Sequence, residues 1–393
     1  MRAKDFTVVP MLFSEIIAQD AVKLSLIKTI KEGRISHAQL FLGPEGSGNL
    51  ALAVAYATYI ACGNKQETDA CGKCPSCQKM AKLIHPDLHF VYPIAANKDK
   101  PVSASYIETW RQGFLENPYL SIADWHKMTD LDNKQTLIAV KESEEIMRKV
   151  SMTAYEAPYN FVVIWMPGKM NTDAANKLLK VLEEPPGKSL FLLVEHNHED
   201  LLPTIISRLQ NVKVPALADQ AISSALQQKF DCTAEEADRV AHMCAGNFNQ
   251  AMDLVRDAED TRDMELSFIS WSRLCYAQDV AGLVDWADEV AGWGRERQKL
   301  FLLYALRMIR ENLLMNLGIE NLIRMDEDER QFSNKFHAFI HPNNGKRLLD
   351  IFSKAYAEIE RNANPRILFL DLSLEYGQTL KVKPAGAEAE TVS

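Results

Sequence analysis

Residues 39–50 read Gln39-Leu40-Phe41-Leu42-Gly43-Pro44-Glu45-Gly46-Ser47-Gly48-Asn49-Leu50. A short apolar run, a glycine-rich turn and then an Ala-rich stretch to Ile60 give a strand, a tight loop and a helix in succession. That order is the setting of a phosphate-binding loop, where backbone N–H groups and a helix N-terminus face an anion. A working loop also needs a lysine for the β- and γ-phosphates, followed by a Ser or Thr hydroxyl for Mg²⁺. Asn49 and Leu50 stand at those two positions. Gly43, Gly46 and Gly48 therefore keep the shape of a cofactor-binding loop without its charge. The expectation is a degenerate loop that does not hold ATP, with passive binding of a nucleotide by backbone amides left open.

Outward from the loop, strand-like and helix-like segments alternate from Phe13 to about Val214. Glu15–Lys31 reads as a helix. Leu88–Tyr92, Asn160–Trp165, Ser189–Val194 and Gln210–Val214 read as further strands, and Thr172–Glu184 as a helix stopped by Pro185-Pro186. The Phe161–Trp165 run is apolar throughout, which suits burial on both faces. Such alternation predicts an α/β core, a parallel sheet with flanking helices. An active ATPase would place an acidic pair at the end of that run, for Mg²⁺ and for water. Trp165 and Met166 can do neither, and Glu195 ends the next strand where a neutral γ-phosphate sensor would be expected.

Beyond Pro215 strand signals nearly vanish. Leu302, Leu306, Ile309, Leu313 and Leu317 recur at helical spacing, and Thr233 with Glu236 forms a candidate capping box. Residues 95–133 look like an insertion carrying Tyr106, Trp110, Phe114, Tyr119 and Trp125. These suit a small packed helical element, with a partner surface as the alternative. The formal charge of −9 weighs against a dedicated nucleic-acid binder. No apolar run reaches the roughly 18 residues of a membrane span, and the opening residues lack a signal-peptide core, so a cytoplasmic location is expected.

Four of the seven cysteines, Cys62, Cys71, Cys74 and Cys77, lie close together. Eight residues separate Cys62 from Cys71, and two separate each later pair; a two-residue spacing lets both sulfurs turn toward one ion, and four thiolates complete a tetrahedral Zn²⁺ shell. Gly63, Gly72, Lys73, Pro75 and Ser76 permit the tight bends required. A closed shell leaves no position for substrate, so the zinc would be structural. An Fe–S cluster and a substitution of His85 for one cysteine are the alternatives.

Several segments together resemble the clamp-loader subunits of bacterial DNA polymerase III, within the AAA+ ATPases, and the delta-prime branch among them. They are Phe13–Gln19, Ser36–Gly48, the four-cysteine module, Asn176–Pro186, Leu201–Arg208 and Asn362–Arg366. The resemblance implies an AAA+ core over residues 1–168, with the zinc module at 62–77 and the insertion near 95–133. It further implies the rest of the core and a small helical lid over 169–255, the sheet ending near 214. A helical collar over 256–381 and a disordered tail over 382–393 complete it. Within the Ser-Arg-Cys motif of that family, Ser207 and Arg208 are kept and Leu209 replaces the cysteine. The resemblance makes Arg208 an arginine finger acting in trans on a neighbouring subunit's ATP. Asn249 stands where an active subunit often carries a second nucleotide-sensing arginine.

The function implied is that of a subunit with no hydrolytic activity of its own. It would sit in a hetero-pentamer with ATPase subunits and a delta subunit, reaching the sliding clamp and primed DNA through that complex. An ATP-hydrolysing motor subunit, or a zinc-dependent nucleic-acid-binding protein, are the alternative readings.

Overall fold

Asn160–Trp165 is the strand on which the N-terminal part is built, and every one of its residues is buried. Successive side chains of a strand point to opposite faces. Phe161, Val163 and Trp165 accordingly join one apolar cluster, and Val162 and Ile164 the other. The computed structural model describes residues 11–96, 101–129, 136–230, 232–256, 258–323, 325 and 327–383. They divide into two units, Met1–Asp253 and Leu254–Ser393. Parts of the 95–133 insertion (97–100 and 130–133) and the tail from residue 384 lie outside the described residues.

The first unit opens with α1 (Asp20–Lys31), β1 (Ala38–Leu42), α2 (Asn49–Ala61), α3 (Pro75–Ala81) and β2 (Leu88–Val91). Then follow α4 (Ile107–Glu116), α5 (Ile122–Thr129), α6 (Val140–Val150), β3 (Asn160–Trp165), α7 (Thr172–Glu183) and β4 (Ser189–Glu195). It closes with the short α8 (Pro203–Ile206), β5 (Gln210–Lys213), α9 (Asp219–Lys229) and α10 (Ala234–Met243), and α11 (Phe248–Arg256) begins within it. The sheet order is β2-β3-β4-β1-β5, with every pairing parallel. Parallel sheets need both faces covered. α2, apolar around its whole circumference and buried along its length, packs on one face; α6 and α7 supply the apolar side chains on the other. The parallel α/β core expected from the sequence is therefore present, with its strands close to the expected bounds.

β1 lies between β4 and β5, strands that come later in the chain, so the loop leaving its carboxyl end opens where the connections diverge. In open α/β sheets that is where ligands bind. Two tethers brace the unit, one at each end of the sheet. The Asp87 carboxylate accepts N–H groups of Tyr155, Glu156 and Ala157 at 2.6–2.8 Å, binding the approach to β3. Burial alone would raise its pKa, and these donors overcome that and leave it lowered. Gln19 donates from its amide to Ser47 O and Pro215 O.

That second tether corrects one expectation. The helix read from Glu15 starts only at Asp20, because Ala18 and Gln19 take positive φ (49° and 62°) to aim the Gln19 amide inward. Residues 13–15 instead form a single 3₁₀ turn whose Phe13 and Ser14 N–H groups are held by the Asp69 carboxylate.

The second unit is helical: α12 (Ala258–Ala277), α13 (Val280–Ala291), α14 (Arg295–Asn316), α15 (Glu327–Phe336), α16 (Pro342–Glu360) and α17 (Pro365–Leu380). Trp271 is its centre, stacked on Trp286 and Tyr376 with centroids 4.8 and 4.9 Å apart and donating to Ser373 Oγ at 2.7 Å. A Cβ on Gly377 would overlap the Cys275 carbonyl, so glycine is what lets α17 approach α12. Leu302 and Ile309 of the predicted stripe are fully buried, whereas Leu317 caps the helix and is exposed. Asn364-Pro365-Arg366 is a helix start: Asn364 Oδ1 accepts from Ile367 N–H, proline fills the first turn and Arg366 pairs with Asp288. Among the described residues no helix is long and apolar enough to cross a membrane.

Candidate functional site

The glycine loop leaves β1 with Gly46 and Gly48 at φ +73° and +87°, backbone that favours glycine. At the position a lysine would need, Asn49 points inward. Its Nδ2 donates to Gly43 O at 3.0 Å and Glu195 O at 3.2 Å, and its Oδ1 accepts from Leu50 N–H at 2.9 Å. One buried carboxamide thus satisfies a donor at the start of α2 that has no partner within the helix and ties the loop to the end of β4. Gly43 N–H also donates to Glu195 O, at 3.2 Å. Ser47 Oγ is buried without a hydrogen-bond partner among the described residues.

The strand ends facing this loop carry no metal-binding pair. Trp165 is fully buried against Trp110, centroids 5.2 Å apart. Met166 adopts φ +54°, its N–H held by Val194 O. The Glu195 carboxylate is buried and accepts N–H groups of Gly168 at 2.8 Å and His196 at 2.9 Å. Burial raises its pKa, opposed by those two donors. A side chain so placed holds the 166–168 turn rather than facing an open loop. Asn249, in α11, donates to Asp124 at 2.8 Å and accepts from Asn117.

The cysteine cluster forms where α2 ends and α3 begins. Cys62 caps α2, Cys74 caps α3 and Cys77 lies in α3. The four sulfurs lie within 4.8 Å of one another, with Cys62–Cys74 and Cys71–Cys77 at 4.0 Å. A tetrahedral ion with Zn–S near 2.3 Å requires sulfurs about 3.8 Å apart, so the set fits such an ion. Cys71 N–H donates to Cys62 Sγ and Cys74 N–H to Cys71 Sγ, both at 3.3 Å. At Cys74 burial would raise the pKa, and the backbone N–H groups of Cys77 and Gly63 overcome it, bringing the thiol down to about 6. Cys77, more buried, is pushed up. His85 stands apart from the cluster: its Nε2 pairs with Ser76 Oγ at 3.1 Å and its Nδ1 accepts from Asp87 N–H at 3.2 Å.

Arg208 follows α8 and is half-buried against the C-terminal end of α7. It donates from Nε and Nη2 to Glu183 and from Nη1 to Thr204 O at 2.7 Å and Ser207 Oγ at 3.3 Å. Its guanidinium and the Glu183 carboxylate both keep solvent exposure, 32% and 48% of the side chain. None of these partners belongs to the glycine loop, so the structure separates Arg208 from Gly43, Gly46 and Gly48 and makes two distinct loci.

A sequence profile of the family described as DNA polymerase III, delta subunit, matches residues 18–218. The chain belongs to that family. Among curated relatives of this delta-subunit member, the DNA polymerase III delta-prime subunit of Pseudomonas aeruginosa is 32% identical over 178 residues. That alignment covers 45% of this chain and 43% of the relative. The Bacillus subtilis delta-prime subunit is 29% identical over 241 residues, 61% of this chain and 60% of that one. The chain therefore spans about half the length of these relatives. A DNA polymerase III gamma-subunit-related protein of Thermotoga maritima superposes with a TM-score of 0.34 at 11% identity, over 91% of this chain and 99% of that one.

The sequence singles out the loop, the cysteines and Arg208, but gives no sign that Gln19 and Tyr119 reach the loop or that Asn117 and Lys229 pack beside Tyr119. The break Asn117-Pro118 between two amphipathic helices was the available signal that Tyr119 leaves the aromatic stripe of Trp110 and Phe114.

Asn49→Ala should lower stability by about 1–3 kcal/mol, since it removes the side-chain partner of the buried Gly43 carbonyl and of the Leu50 N–H. Chemical denaturation of the purified chain measures it; a neutral result would show that the carboxamide does not hold the loop.

Proposed function

We propose that the chain is a non-hydrolysing clamp-loader subunit of DNA polymerase III, acting in the cytoplasm within a hetero-pentamer of ATPase subunits and a delta subunit. In this reading it reaches the sliding clamp and primed DNA through the assembly and lends Arg208 to ATP bound by a neighbour. The observation that carries it is Asn49: the side chain at the lysine position is bonded to the chain's own backbone. Trp165, buried in the core, and the backbone-bonded Glu195 agree with it. Phosphoryl transfer is mostly positioning and electrostatics, so a loop without lysine, metal ligand or base has little left to supply in cis.

Arg208 supports the trans half by its exposure. A surface ion pair such as Arg208–Glu183 is worth about 0–1 kcal/mol. An arginine finger contributes about 10³–10⁵ in rate. Exchanging the Glu183 carboxylate for phosphate oxygens of a docked neighbour therefore costs little against the gain. Thr204 O and Ser207 Oγ would keep the guanidinium oriented while Glu183 is replaced.

The cysteine cluster is proposed to hold one structural Zn²⁺ through Cys62, Cys71, Cys74 and Cys77. All four ligand positions come from the protein, which leaves none for substrate. The ion would cross-link the end of α2 to α3 and neutralise thiolates that otherwise repel.

Arg208→Ala in the reconstituted complex should cut clamp- and DNA-stimulated ATP hydrolysis about 10³-fold at the site it reaches, with assembly intact. Glu183→Gln should leave it unchanged or faster; equal rates for wild type and Arg208→Ala would remove the finger role. Elemental analysis should find one zinc per chain, and Cys74→Ser should lose it and melt at a lower temperature. Bound iron, or no metal in freshly purified chain, would contradict the assignment.

A further inference from the structure

Tyr119 lies in the turn between α4 and α5, in the segment to which the sequence alone assigns no functional role. Its neighbours in that segment do what core aromatics do. Trp110 stacks on Tyr92 with centroids 4.1 Å apart, and Trp125 meets Trp110 edge-on and donates to Pro93 O. Tyr119 goes elsewhere. A Cβ on Gly48 would come within 2.9 Å of its ring, and its hydroxyl accepts Ile17 N–H at 2.9 Å. The ring meets Phe248 edge-on, centroids 5.0 Å apart. The Lys229 ammonium lies over both rings, 5.9 Å from Tyr119 and 5.3 Å from Phe248. Asn117 and Asp124, on either side of it in the chain, both hold Asn249. From the other direction Asn247 reaches the loop: its Nδ2 donates to Glu45 at 3.1 Å, Phe248 N–H donates to Gly46 O at 3.2 Å, and a Cβ on Gly46 would overlap its side chain.

One short segment therefore touches the glycine loop, the residues before α1, and the start of α11. A ligand that binds two bodies at once couples them, and a covalently attached one is never diluted away. We propose that residues 103–129 form a built-in wedge in which Tyr119, braced by Asn117 and Asp124, tethers the glycine loop to α11 in place of any dissociable ligand. The wedge deepens the reading of an inactive loop. That reading requires only that catalysis be absent, whereas the wedge holds the loop against the start of α11. The far end of the segment is anchored as well. The buried Glu142 carboxylate accepts from Ser103 N–H and Oγ, and Ser103 O accepts from Tyr92.

The test is hydrogen exchange of the full chain without nucleotide, so its outcome is independent of whether the loop ever holds one. In Tyr119→Ala, amides of residues 43–48 and 246–253 should exchange about tenfold faster or more, with β3 and β4 unchanged, as expected for a local rather than global opening. Tyr119→Phe keeps the ring and should retain that protection, with faster exchange confined to the Ile17 amide. Asn249→Ala removes the polar link alone and should speed exchange at 246–253; it carries the test should Tyr119→Ala fail to fold. Exchange at 43–48 and 246–253 unaltered in these Ala variants, or acceleration spread evenly over the sheet, would overturn the wedge.

Discussion

The carboxamide of Asn49 is the contact on which the N-terminal unit turns. Its three hydrogen bonds close a glycine loop onto the end of β4 and onto the first turn of α2, the helix that fills one face of the sheet. A lysine there would need an anion to balance it, and its absence removes that need. The loop geometry persists because Gly46 and Gly48 serve a second constraint, the close approach of Asn247 and Tyr119.

The sheet was legible from the sequence because its signals are local. The Phe161–Trp165 run, the Asn49–Ile60 Ala-rich stretch and the Thr233–Glu236 capping box each carry their own periodicity or cap, and each forms where expected. The cysteine spacing was legible for the same reason, and the four sulfurs do converge. What stayed hidden depends on pairings distant in the chain. The delayed start of α1 follows from Gln19 reaching Ser47 and Pro215, and nothing near residue 19 announces that bond. The Glu183 partner of Arg208 and the backbone partners of Glu195 are hidden likewise. Tyr119 was obscured by company: among Trp110, Phe114 and Trp125 an aromatic reads as core, and only the turn at Asn117-Pro118 sends it to the loop.

Two loci with opposite character follow from these constraints. Around the loop, the side chains of Asn49 and Glu195 face inward and find partners within the chain. At Arg208 the guanidinium keeps solvent exposure while it pairs with the Glu183 carboxylate at the end of α7. Both loci lie within residues 18–218, the stretch that matches the DNA polymerase III delta-subunit family.

Equilibrium dialysis of the isolated chain against Mg·ATP tests the central claim, that the loop is satisfied by its own chain, most directly. The account predicts no saturable binding up to about 1 mM, a limit of roughly −4 kcal/mol in binding free energy. Stoichiometric micromolar binding, abolished by a bulky substitution at Gly46 or Gly48, would contradict it.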